Sequence, residues 1–110
     1  MATDWSAVLK DMVSAAQDAA KTEWPKLQDE AKAQFKILTQ VGARIEARKA
    51  AGAISKTNAK FLMAQQQMAT QNVLFSIEGM TNVLVEKAAN AALDVLRTAV
   101  KAATGGWVLL

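Results

Sequence analysis

A single break, Ala50-Ala51-Gly52-Ala53-Ile54-Ser55, divides this chain into two nearly equal lengths of helix-forming sequence. Elsewhere breakers are scarce: one Pro and five Gly in 110 residues, in a chain rich in Ala, Lys, Gln, Leu and Val. Such a composition favours helix almost throughout. The chain is long enough for one domain, although Ala supplies much of its 52% hydrophobic content and only three Trp and three Phe are large aromatics.

The first arm, residues 3–50, opens at Thr3 or Asp4 as N-cap. Its apolar side chains Trp5, Val8, Leu9, Met12, Ala16, Ala19 and Ala20 fall on one helical face. Pro25 then disfavours helical backbone at Trp24 but is tolerated in a first helical turn. The expectation is a kink or tight break in an otherwise continuous arm, because no loop composition surrounds it. From Trp24, Leu27, Ala31, Phe35, Leu38, Val41 and Ile45 recur at gaps of three and four, with Ile37 widening the arc. Arg44, Arg48 and Lys49 suit the negative end of the helix dipole, and Gly52 suits a left-handed C-cap. Residues 51–55 form the turn, with Ser55 as the next N-cap.

The second arm, residues 56–103, has no Pro and only Gly79, so it reads as one helix of about 70 Å. The first arm has the same reach. Equal arms point to an all-α fold, a long antiparallel helical hairpin with a kinked first arm. The competing layout is a three-helix bundle folded back at Pro25, which requires the second arm to protrude or break near Gly79. The apolar series Val73, Ile77, Met80, Leu84, Ala88, Ala91, Val95, Ala99, Ala102 advances mostly by fours, nearer an eleven-residue repeat than a heptad. A second stripe, containing Val85, Ala89, Ala92, Leu96 and Val100, runs beside it, and polar residues shrink to Glu86, Asn90, Asp94, Arg97 and Lys101.

One hairpin partner cannot cover so wide an apolar arc, so the fold is expected to be completed by oligomerisation. The expected self-association residues are Leu84, Ala88, Ala91, Ala92, Val95, Leu96, Ala99 and Val100, together with the tail, residues 104–110, through Trp107, Val108, Leu109 and Leu110. The tail would dock on a neighbouring copy or at a membrane interface.

Chemistry is thinly represented. With no Cys and no His, thiol nucleophiles, imidazole bases and the usual zinc sites have no residues to build them. Asp29 and Glu30 are adjacent and point about 100° apart on a helix, Glu86 has no acidic partner one turn away, and Ser6, Ser14, Ser55 and Ser76 lack a base. No catalytic, cofactor or metal site is expected, and the chain does not read as an enzyme. Glu78, the only charge between Phe61 and Val85, would suit a proton acceptor or pore if buried, but the commoner arrangement is a solvated carboxylate. Gln65, Gln66, Gln67, Gln71 and Asn72 form either an amide layer in an oligomer core or an exposed face.

The net charge of +3 is unevenly spread: eight basic residues face three acidic ones between Lys26 and Lys60. Arg44, Arg48, Lys49, Lys56 and Lys60 gather around the turn and could meet an anion or a partner. No phosphate loop or stacking platform accompanies them, so specific nucleic-acid binding is not expected. The N-terminal residues lack a basic-then-apolar layout, so cytoplasmic synthesis without a signal peptide is expected, with particle or membrane association as possible destinations.

Three functions fit. The leading one is a non-enzymatic, self-assembling structural protein, a homo-oligomer in a large particle such as a virion or secretion-type assembly that can also hold other protein components. The second is a membrane-active or pore-forming protein; Asp94 and Arg97 would make insertion of a single copy costly. The third is an adaptor or chaperone that binds a partner helix.

Overall fold

The computed structural model describes residues 3–110, and among them the secondary structure is entirely helical. Four helices, α1 (Trp5–Ala20), α2 (Trp24–Ala50), α3 (Lys56–Phe75) and α4 (Asn82–Ala103), carry the chain, with a short 3₁₀ turn at Lys21–Glu23. The molecule measures 45 × 23 × 18 Å.

These dimensions exclude a 70 Å rod, because both arms fold in half. In the first arm the reversal occurs at Lys21, whose φ of 53° and ψ of −123° end α1 while its N–H still donates to Gln17 O. Pro25 does not kink anything. It lies in the first turn of α2, where an N–H would have had no helical partner. In the second arm the helix stops at Ser76 and restarts at Thr81, and Gly79 takes φ +82° between them. The Thr81 hydroxyl accepts from Leu84 N–H to cap α4. The physical reason is common to both breaks: a straight hairpin would set α1 against α4 and α2 against α3 but leave the other sides of these helices in water, whereas halving each arm also packs α1 against α2 and joins the two pairs into one bundle.

The caps anticipated from sequence are in place. The Asp4 carboxylate accepts from Ala7 N–H and from the Ser6 hydroxyl, and these bonds hold its carboxyl below the ordinary value. Ser55 Oγ accepts from Asn58 N–H. At the end of α2, Gly52 adopts φ +68°, and Ala53 N–H reaches back to Arg48 O at 2.8 Å, which satisfies carbonyls the helix leaves open.

Side-chain bonds fix the orientation of the bundle. Trp5 Nε1 donates to Glu46 Oε1 at 3.0 Å, Thr70 Oγ1 donates to Gln34, and Lys26 Nζ donates to Gly79 O at 3.3 Å. Successive helices therefore run antiparallel. Their packing is uneven: α1 packs principally against α4 and also against α2, α3 packs against α2, and α3 and α4 barely touch. The 23 × 18 Å cross-section is that of a bundle and not of a single row, with α1 between α4 and α2 and with α3 held chiefly by α2.

The core follows from this order. Val8, Met12, Ala16 and Ala20 of α1 meet Val85, Ala88, Ala89, Ala92, Leu93, Leu96 and Val100 of α4, while Leu27, Ala31, Phe35, Leu38 and Ile45 of α2 complete it. Full burial of each larger aliphatic chain contributes about 1.5–3 kcal/mol, so the α1–α4 seam is a principal source of stability.

Candidate functional site

The residues expected to join copies are placed largely inside one chain. Ala88, Ala92, Leu96, Val100 and Leu109 are buried, Leu84, Ala91, Val95, Ala99, Trp107 and Leu110 are half-buried, and only Val108 is exposed. The wide apolar arc of α4 is real, and α1 covers most of it. No second copy is needed for that role.

The tail is likewise secured on its own chain. Thr104 Oγ1 donates to Val100 O at 2.7 Å and accepts from Trp107 N–H at 3.1 Å, so one hydroxyl links the end of α4 to the tail. Arg97 Nε donates to Leu110 O, and the Lys49 ammonium lies 5.1 Å from the centre of the Trp107 ring. A cation over an indole face is attracted by the ring quadrupole.

That contact removes Lys49 from the basic group expected around the turn. Arg44, Arg48, Lys56 and Lys60 remain exposed at the α2–α3 end of the molecule, and neither of the two ion pairs among the described residues involves them. Glu78 is exposed in the loop between α3 and α4 and so sits in water and not in an apolar lining. The amides divide between two settings. Gln65 and Asn72 are exposed, whereas Gln66, Gln67 and Gln71 are half-buried on the flanks of α3.

The N-terminal end is organised by Glu46. Its carboxylate accepts from Thr3 N–H, from the Thr3 hydroxyl and from the Trp5 indole. Burial pushes its carboxyl up, and these bonds outweigh that effect, leaving it below the ordinary value of 4.5. Gly42 makes the arrangement possible: a Cβ there would come within 2.6 Å of the Trp5 ring. Nothing in the helical pattern of α2 marked this glycine, since its role depends on a residue 37 positions away, Trp5, that crosses it only after the chain reverses.

The surface that sequence reasoning missed is the outer face of α3. Ala59, Met63, Thr70 and Leu74 face α2 and are buried. On the opposite side Phe61, Met68 and Phe75 repeat every seven residues and are 63%, 63% and 41% exposed. Between Phe61 and Phe75 α3 carries no charge at all, and Gln65 and Asn72 lie beside the stripe. Scattered exposed apolar residues are ordinary, but an aligned aromatic and methionine stripe without charge has the composition of a contact surface. The signal was present as the spacing of residues 61, 68 and 75, but apolar residues on both faces of α3 blurred its amphipathic pattern.

Compared with known proteins, the chain matches no family model, no curated protein sequence and no solved structure.

Proposed function

We propose that the protein is a non-enzymatic helical building block that associates with further copies of itself through the outer face of α3. The observation that carries this reading is the uncharged stripe of Phe61, Met68 and Phe75 on the side of α3 away from its only substantial neighbour. Covering the exposed parts of these three side chains from each of two copies would contribute on the order of 6–9 kcal/mol before costs. Lost rigid-body freedom costs about 4 kcal/mol or more. One such contact is therefore weak, and association depends on protein concentration or on several contacts acting together in a larger particle.

The larger structural role, as a component of a virion or secretion-type assembly, extends this reading. A single self-complementary face closes at a dimer, so growth into a ring, tube or layer requires a further surface. The exposed basic end with Arg44, Arg48, Lys56 and Lys60 is available to another component. The membrane-spanning reading has less to support it, as none of the helices among the described residues is long and apolar enough to cross a membrane.

Sedimentation of the full chain from low micromolar to millimolar concentration tests the proposal. The expected result is a mass that rises above 11.8 kDa with concentration, and that stays at the monomer value in Met68→Glu with unchanged helical circular dichroism. A wild-type monomer throughout this range would remove self-assembly. The same face would then be assigned to a helix from another protein, the adaptor reading, with saturable binding to a partner helix as its measurement.

A further inference from the structure

Resting on the self-association reading, we infer that two copies pair through α3 in an antiparallel, two-fold arrangement with Met68 on the axis. The stripe has the symmetry such an axis demands. Counting outward from Met68, Phe61 and Phe75 lie seven residues to either side, and Gln65 and Gln71 lie three to either side. A two-fold axis across the helices places Met68 on Met68 of the other copy, Phe61 on its Phe75, and Gln65 beside its Gln71. Two pairs differ in kind, Gln67 with Ala69 one residue out on the flanks and Ala64 with Asn72 four residues out on the face. Each puts a small side chain opposite an amide.

A parallel pair would also match Phe with Phe, and charge decides between the two. The start of α3 carries Lys56 and Lys60, next to Arg44 and Arg48 at the end of α2, whereas the far end leads into Glu78. Parallel packing would set lysines beside lysines and Glu78 beside Glu78. Antiparallel packing brings each basic end against the other copy's Glu78 and also opposes the helix dipoles favourably. Neither Lys56, Lys60 nor Glu78 has an ion-pair partner among the described residues of its own chain.

The absence of cysteine from the natural sequence makes the geometry directly readable by disulfide trapping. Packed helices lie about 8–10 Å apart, and a disulfide needs Cα atoms within roughly 7 Å, so only residues directly facing each other are joined. In the antiparallel pair Phe61 of the two copies is separated by about 21 Å along the helices.

The experiment oxidises Met68→Cys alone, Phe61→Cys alone, Phe75→Cys alone, and an equal mixture of the last two, at a concentration where the wild type sediments as a dimer. Met68→Cys and the mixture are expected to cross-link at least tenfold faster than either phenylalanine variant alone. Equal mixtures of Gln65→Cys and Gln71→Cys repeat the test with both phenylalanines intact, and should link as a mixture and not singly. Rapid self-linking of Phe61→Cys or Phe75→Cys would overturn the antiparallel axis while leaving self-association standing. A wild type that remains monomeric in the same sedimentation run would remove self-association itself, and this arrangement with it.

Discussion

The two helices of the second arm, α3 and α4, are similar in length yet use their apolar residues in opposite ways. In α4 the buried residues form one broad arc, and the polar strip from Glu86 to Lys101 faces water. In α3 the inner face holds Ala59, Met63, Thr70 and Leu74, and an equally aligned outer face holds Phe61, Met68 and Phe75. The difference lies in the neighbours. α4 is covered by α1, but no helix of the chain lies over the outside of α3. Apolar content thus serves folding in one helix and is divided between folding and surface in the other.

The contrast breaks most visibly under truncation. Leu96→Ala in α4 should destabilise the monomer by about 2–5 kcal/mol, the range for removing a fully buried leucine from a core that cannot collapse around the gap. Chemical denaturation at low micromolar concentration, where association is negligible, would measure it. An effect below ~1 kcal/mol would mean that α4 is less tightly held than its burial shows.

A smaller effect is expected where α1 is clamped to α2, since α4 depends on α1 for its cover. Gly42→Ala should cost about 1–3 kcal/mol, because the added methyl displaces the Trp5 ring and with it the indole bond to Glu46. Hydrogen exchange should show α1 and α4 loosening together while α3 keeps its protection. Uniform loosening of all four helices would show that α3 is bound into the same cooperative unit.

Acid probes the same clamp more gently. The Glu46 carboxyl is lowered in the folded chain, so its contribution is fully present above its ordinary value of 4.5 and is lost as pH falls through the lower folded value. As pH falls below 4.5 the indole N–H resonance of Trp5 should shift and exchange faster, with only a small stability loss because solvent screens this largely accessible carboxylate. Glu46→Gln should abolish that pH response.

The smallest effect sharpens the comparison from the other side. Phe61→Ala should change monomer stability by no more than about 0.5 kcal/mol, since this side chain is 63% exposed. Its sedimentation should nevertheless show weaker association. A loss comparable to Leu96→Ala would mean that the outer face of α3 is part of the core.

Local structure was legible in the sequence wherever the determinant was local. Ser55, Gly52 and the acidic cap Asp4 act within a few residues, and their helix ends lie where the side chains indicated. The direction of the chain beyond each end was not legible in the same way. Lys21 takes a positive φ with nothing in the identity of lysine to announce it, and Pro25 four residues later attracted the attention that belonged to the reversal. The burial of Ala88, Ala92 and Leu96 follows from α1 lying against α4, a pairing the straight hairpin shares; what the reversal adds is the contact of α1 with α2. The candidate surface on α3 was hidden for the complementary reason. Periodicity identifies a helix with one apolar face readily, whereas a second face opposite the first cancels the pattern.

Folding each arm in half also relocates the chain ends. Thr3 is bound to Glu46, and the tail rests by Lys49 and Arg97, so both ends lie beside the Gly52 turn and not at the far pole of a rod. A protein domain attached at either end would crowd the pole that carries Arg44, Arg48 and Lys56, while the middle of α3 stayed uncovered. Tagging is therefore a selective tool with this molecule: it masks the basic pole without masking the stripe through Met68.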